Sequence, residues 1–459
     1  MNTRILAATL TASALFLTGC GSDSDDDGIA ADTASNSLTY LQAVHASPDA
    51  PLANVWVNGS PQLEGVDYGV ASGYLTLSSG TNSVQVDIQV GLGNTATVIP
   101  ESDLSLMEGT RYTVLVTGYA DSSVGFPVKP TIISRPVSSY ADADNLDVQV
   151  VHAAAGVPAV DVYVTAPGAD INTAQPLDTL AYEDDTGVIT IAGGSYQVRL
   201  TLAGTKTVAF DSGAVDLPAG ADLTIAAIPN VNNAANSALV KLLVMDGTNG
   251  QFVYNTAEQA QIQVGHLVNN APTVDVALNG SEAISDLVFA EVRGYVDVAV
   301  GEYDIGVYPD NTPGTLVIDE MDVPFNAAQD YTVYAVGTLD TIAPLVIVDE
   351  RRSVATSAVL NVLHAVPNAA AATVDVYVTA TNDITQSDPS IPGFAYKQSV
   401  QQVYLPAGSY WVTVALPGTK TAAIGPVQVS VENGKVYQAI AIELAEGAGF
   451  DLLLDEITE

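Results

Sequence analysis

The chain contains only four histidines, His45, His152, His266 and His364, and each sits in a copy of one short pattern. The copies read "AVHASPDAP" from Ala43, "VVHAAAGVP" from Val150, "VGHLVNNAP" from Val264 and "VLHAVPNAA" from Val362. Imidazole exchanges a proton near neutral pH and ligates transition metals, so a histidine repeated near carboxylates raises general acid–base catalysis or a metal site. The recurrent carboxylates are Asp161, Asp275 and Asp375, which follow their histidines by nine, nine and eleven residues; the first copy has Asn54 instead.

Strand periodicity separates these groups. Stepping back by twos from His266 gives Val264, Ile262 and Ala260; Val150, Val148 and Leu146 precede His152 in the same way, as Val362, Leu360 and Ala358 precede His364. Successive side chains of a strand point to opposite faces, so each histidine is expected on the apolar face, its ring satisfied by the backbone of its own turn. In "VDVYV" the valines take the core face, which sends Asp161, Tyr163, Asp375 and Tyr377 outward; Asp275 follows the same rule. Histidine and carboxylate then lie on opposite sides of a sheet, out of proton-transfer reach.

The four histidines are therefore read as structural repeat markers. No H-x-H, H-E-x-x-H or cysteine pair is present, and no G-x-S-x-G elbow or Walker loop; "GTKT" at Gly204 and Gly418 misplaces Lys206 and Lys420 for phosphate. No catalytic residue, metal or cofactor is assigned. The candidate ligand contacts are the outward residues Trp56, Tyr163, Tyr377, Asp161, Asp275 and Asp375, offered to an extracellular polysaccharide, protein or cation.

Further landmarks keep step with the histidines. "GYLTLSSGTNSVQV" from Gly73 has counterparts from Gly187, Gly294 and Gln402, and "GTRYTVLVTG" from Gly109 has counterparts from Gly220, Ala328 and Gly434. A period of roughly 100 residues exceeds the 20–50 of solenoid repeats and indicates tandem domains. Their bounds are placed at 38–140, 141–257, 258–355 and 356–459. Short strands alternating with period two, divided by Gly, Pro, Asn and Asp, predict about seven strands per unit in an all-β, antiparallel β-sandwich of Ig-like or transthyretin-like type. No helical crossover is visible, which argues against parallel pairing. The first and third units carry Asn-Gly after the second strand (Asn58, Asn279), a tight type I′ hairpin signal. The second and fourth carry a longer loop there and share "LAGTKT" and "LPGTKT", so an ABAB order points to duplication of a two-domain block.

The combination of "VHASPDAP", "VDVYV", "GYLTL" and the late "GTRYTV" resembles the bacterial domain of unknown function 4397, found in secreted and lipid-anchored envelope proteins. The resemblance covers nearly all of residues 38–459 and implies no activity.

The amino end speaks to location. Arg4, a short apolar run and "LTGC" ending at Cys20 resemble a bacterial lipoprotein signal peptide (1–19) with its lipidated cysteine. Cys20 is the only cysteine, so disulfides within the chain are excluded. Residues 20–37 read as an acidic flexible tether, and Gly21 after the cysteine suggests outer-membrane sorting, on the periplasmic side or at the cell surface. Lys+Arg 13 against Asp+Glu 52 gives a net charge of -39, which argues against nucleic acid. The expectation is a non-enzymatic envelope lipoprotein held to the membrane through Cys20, with structural, adhesive or ligand-capture use. Polysaccharide or cation binding is the alternative, and a histidine hydrolase a more remote one. At roughly 35–40 Å per sandwich, a string of four would reach more than about 100 Å.

Overall fold

In β2 of the first sandwich (Ala53–Val57), Ala53, Val55 and Val57 are buried while Asn54 and Trp56 are half-buried on the other face, the alternation that makes a strand cover a core. The computed structural model describes residues 37–458, apart from 92, 138–142, 233, 235, 236, 311, 313, 314, 446 and 447. The signal peptide, Cys20 and all but the last residue of the tether lie outside the described residues. The other strands of the first sandwich are β1 (Leu38–His45), β3 (Ser60–Val66), β4 (Leu75–Ser78), β5 (Gly80–Gly91), β6 (Asn94–Leu106), β7 (Thr110–Thr117) and β8 (Lys129–Pro136). They form two four-stranded sheets, ordered β4-β1-β7-β8 and β3-β2-β5-β6. The other three sandwiches repeat this arrangement, the second with Gly250–Val253 added at one edge.

Each sandwich thus has eight strands or more instead of seven, and one pair departs from the antiparallel expectation. β1 runs parallel to β7, from Tyr40 opposite Arg111 to His45 opposite Val116, and the other histidine strands pair in parallel with Asp222–Pro229, Asp330–Val336 and Val436–Glu443. A parallel pair needs a long crossover. Here the chain makes it by passing through the opposite sheet, so no helix is required. The Asn-Gly turns have the geometry their sequence favours: Asn58 and Gly59 have φ of 51° and 70°, Asn279 and Gly280 of 50° and 73°.

The sandwiches are not beads on a string. Val44, Leu115 and Ile133 of the first pack against Val151, Ile228 and Leu243 of the second in one buried cluster. Leu267, Tyr334 and Ile347 of the third pack in the same way against Leu363, Ile440 and Ile442 of the fourth. In both pairs the joining sheets are those that carry the histidine strands. At the rim of the first pair, Arg135 meets Asp222 at 2.7 Å, and Arg111 engages the same carboxylate. The segment between the third and fourth sandwiches docks on the first: Arg352 donates to the carbonyls of Pro48 (3.2 Å) and Ala50 (2.7 Å) and pairs with Asp67 at 2.7 Å. The expectation of an extended chain of modules is corrected. Residues 37–459 fold as one unit: the largely apolar outer faces of the histidine sheets join the sandwiches in pairs, and the Arg352 segment ties the second pair to the first.

Leu115→Ala, which empties the first interface, is expected to destabilise the protein by about 2–5 kcal/mol in urea unfolding, whereas Leu239→Ala at an exposed position changes it little.

Candidate functional site

The histidines are locked by their own loops. Each Nε2 donates to a carbonyl six or seven residues on: Pro51 (3.0 Å), Pro158 (3.2 Å), Pro272 (3.0 Å) and Ala371 (2.8 Å). Each Nδ1 accepts the N–H two residues on, from Ser47, Ala154, Val268 and Val366 at 3.3–3.4 Å. These partners define the neutral tautomer with the proton on Nε2. Burial lowers the pKa of all four, that of His45 to about 4. Both nitrogens are engaged, so none of the rings presents a lone pair for a metal or a proton for a substrate.

The carboxylates do face away from the histidines, but they do not face water as the sequence reading placed them: Asp161, Asp275 and Asp375 are 5%, 4% and 7% exposed. Each accepts hydrogen bonds from the edge of its own sheet. Asp161 takes the Thr179 hydroxyl (2.6 Å) and the Gly204 N–H (2.8 Å), Asp375 the N–H groups of Gly393 (2.8 Å) and Gly418 (2.9 Å), and Asp275 that of Asp286 (2.9 Å). In the first sandwich the amide oxygen of Asn54 accepts from Gly65 N–H at 2.8 Å. A neutral acceptor performs the same task, so the position needs an oxygen and not a charge.

Tyr163 and Tyr377 are also corrected as ligand contacts, since each is 2% exposed. Lys206 and Lys420, the lysines of the "GTKT" turns, place their ammonium groups 4.4 and 4.3 Å from these rings and donate to the phenol oxygens at 2.9 and 3.1 Å. Each lysine also reaches a loop carbonyl, Ala174 or Ser387, and so seals the tyrosine beneath the longer loop. The pairing was missed because tyrosine and lysine lie 43 residues apart.

At the equivalent position the third sandwich has the buried Ala277, and the first has Trp56. Trp56 lies half-buried in an open groove of about 250 Å³ with Gly59, Ser83, Gln85 and Glu101, and its indole N–H has no acceptor among the described residues. Gln85 sits directly across the strand pair, steadied by Asp87 at 2.9 Å.

One acidic group among the described residues has metal-compatible spacing: Asp275, Asp286 and Asp310 bring carboxylate oxygens within 4.8 Å of one another. An all-oxygen set suits Ca²⁺ or Mg²⁺ in preference to zinc. The sequence reading assigned no metal and placed only Asp275 among possible contacts; Asp286 comes from the edge strand Ser281–Leu287 and Asp310 from the turn after Gly301–Pro309.

Sequence reasoning also missed the junction of the first three sandwiches. A polar cavity of about 170 Å³ is lined there by Asp67, Lys241, Asp330, Asp349, Glu350 and Arg351. The Lys241 ammonium lies 4.2 Å from the Phe252 ring and 4.9 Å from that of Tyr68. Asp330 and Asp349 are directly opposed across an antiparallel pair. Asp330 meets Arg351 at 3.0 Å, and Asp349 accepts from the hydroxyls of Tyr295 (3.0 Å) and Thr332. Burial pushes Asp330 up to about 6 and Asp349 up to about 7. The folded protein therefore holds these protons where an unfolded carboxyl of pKa 3.8 has released them. Their contribution to stability is complete below that unfolded value and is lost as pH rises through about 7. Asp349→Asn, which does not titrate, is expected to gain melting temperature over the parent progressively from pH 5 to pH 8, as read by thermal unfolding.

Among known proteins, the profile of the family described as "Domain of unknown function (DUF4397)" matches four times, over residues 39–163, 146–252, 260–371 and 358–458. No curated protein matches the chain. Among solved structures, the Bacillus anthracis TIE protein is similar at 10% identity over 89% of this chain and 75% of its own, with a TM-score of 0.16. A candidate cell adhesion protein from Parabacteroides distasonis is similar at 9% identity over 68% of this chain and 99% of its own, with a TM-score of 0.14. At such scores neither bears on the function of this chain. Each of the four matches takes in one histidine-clasped sandwich, the first and third running on into the next: the chain belongs to the DUF4397 family.

Proposed function

We propose that this protein is a non-catalytic, lipid-anchored component of the bacterial envelope that captures an extracellular polysaccharide through the Trp56 groove of its first sandwich. The observation that carries the reading is the difference among four equivalent positions. Two hold a tyrosine sealed by lysine, one holds a buried alanine, and only Trp56 lies in an open groove among hydrogen-bonding side chains. A sugar ring has an apolar C–H face and a polar rim. A tryptophan face flanked by Gln85, Ser83 and Glu101 offers the matching surface.

The absence of catalysis in this reading is supported by the four histidines, whose nitrogens are all engaged by backbone. Nucleic acid is disfavoured by the net charge of -39 and by the placement of Arg135, Arg351 and Arg352 within junctions between sandwiches. The anchor rests on the sequence around Cys20, and outer-membrane placement on Gly21.

On an array of envelope and extracellular polysaccharides, Trp56→Ala is expected to weaken binding by about tenfold or more, while Tyr163→Phe leaves it unchanged. Equal binding by the Trp56 variant would remove the reading. Cys20→Ser is expected to move the protein from the membrane fraction to the soluble envelope fraction; retention in the membrane would contradict the anchor.

A further inference from the structure

The first sandwich differs from its three relatives at the end beneath the histidine loop. Where the second, third and fourth place Val160, Val274 and Val374, it has Ala53. The edge-strand partner of that residue is Leu180, Leu287 or Phe394 in the others, all buried, and here it is the half-buried Val66. Two residues after the histidine, where the third and fourth sandwiches bury Val268 and Val366, the first has Ser47, whose hydroxyl is buried without a partner. Two positions are thus smaller than in all three relatives, and the third is smaller than in the third and fourth sandwiches, the second having Ala154 there. Consistent with this, the apolar core of the first sandwich breaks into two clusters, whereas each of the others has one continuous core.

Beside Ala53 lies a cavity of about 240 Å³, walled by Ala53, Val86, Ile88, Val98 and Val116 and flanked by the neutral ring of His45. An apolar cavity of about 150 Å³ is enough to hold benzene. The mouth is built by the "ASPDAP" loop. The Asp49 carboxylate accepts the N–H groups of Ala120 (2.7 Å) and Asp121 (2.9 Å), fixing the β7–β8 connection with Tyr119 and Pro127 over the opening. The Asp49 carbonyl accepts from Ala355 N–H at 2.9 Å, which brings in Thr356 from the segment between the third and fourth sandwiches. The Thr356 hydroxyl is buried and has no partner. A buried hydroxyl without a partner is unfavourable, and a ligand oxygen at this point would satisfy it.

We propose that this cavity binds a compact apolar molecule, of the size of a substituted ring or a short chain, that carries one hydroxyl or carbonyl group for Thr356. The walls supply apolar burial, the single orphan hydroxyl orients the ligand, and the lining holds no Lys or Arg to compensate a buried carboxylate. The site is separate from the Trp56 groove, because Ala53 and Trp56 lie on opposite faces of β2.

The test uses the full chain carrying Cys20→Ser, which needs no detergent, with benzyl alcohol, toluene and benzoate as probes in calorimetry and saturation-transfer NMR. Benzyl alcohol is expected to bind saturably, toluene more weakly, and benzoate not at all. Ala53→Val, the residue present in the other three sandwiches, and Val98→Phe, which fills from β6, should each weaken benzyl alcohol by about tenfold or more and raise the melting temperature. Thr356→Val should erase the preference for benzyl alcohol over toluene, and Trp56→Ala should leave all three probes unaffected. Absence of saturable benzyl alcohol binding, unchanged affinity in both filled variants, or benzoate binding as tight as benzyl alcohol would each overturn the proposal.

Discussion

Each histidine strand carries apolar side chains on both faces, and only a second sheet can take the outer face out of water. The inner face of Asn145–His152 presents Leu146, Val148 and Val150 to its own core, and the outer face presents Val151 to the first sandwich. Burial of apolar surface is worth about 25 cal/mol per Å², so leaving such a sheet open would be strongly unfavourable. Pairing of like sheets, first with second and third with fourth, follows from that constraint. The outer faces are not uniformly apolar. Three residues before each histidine stands an amide, Gln42, Gln149, Gln263 or Asn361, and all four are buried. Gln42 donates to Ser72 carbonyl at 2.7 Å, Gln149 to Asp185 at 2.7 Å and Asn361 to Glu350 carbonyl at 2.7 Å, while Gln263 accepts from Thr332 at 3.0 Å. These bonds are made within the same sandwich or, for Asn361, to the segment before it, so they satisfy the buried amides locally and leave the contact between sheets to valine and leucine.

Holding together a chain with net charge -39 makes the few cations valuable as cross-links. Arg135 joins the first pair, and Arg351 and Arg352 lie consecutively where the second pair meets the first. A buried guanidinium left without partners is strongly destabilising, and each of these has several: Arg351 reaches Asp330, Gln261 and the Ile457 carbonyl, and Arg352 reaches Asp67 and two carbonyls of the "ASPDAP" loop. The "ASPDAP" loop of the first sandwich thereby has a structural role. Its backbone carbonyls receive an arginine and its aspartate holds the β7–β8 connection.

Much of the sandwich was legible in the sequence because strand parity is a local signal. The inward histidines, the Asn-Gly turns and the four-fold period need no more than alternation and turn chemistry. Less legible were relations that depend on distant residues. "VQVVH" and "VLNVLH" break strict alternation, and that break is the sequence trace of a second buried face; read only for its inner face, the strand gives an extended string of modules instead of packed pairs. The parallel β1–β7 pair leaves no local trace, since the crossover uses strands already counted. At the candidate site, outward parity for Tyr163, Tyr377 and the three aspartates was the right geometry with the wrong environment. The loops that cover the tyrosines arrive from elsewhere in the chain, and the lysines of the "GTKT" turns signal their role only once the rings are beneath them.

Repetition within one chain separates what the fold requires from what it leaves free. The histidine clasp is kept in all four copies with the same two backbone partners, and the outer-face oxygen is kept as Asp or Asn. A constraint met identically by copies that differ elsewhere belongs to folding. The variable positions run the other way: Tyr, Ala or Trp on the outer face, and Ala or Val beneath the histidine loop. The first sandwich takes the exceptional residue at both, Trp56 on one side of β2 beside an open groove and Ala53 on the other beside a cavity. Filling the cavity would be favourable for stability, and the other three copies carry valine where the first has Ala53, so that departure points to selection for something other than the fold.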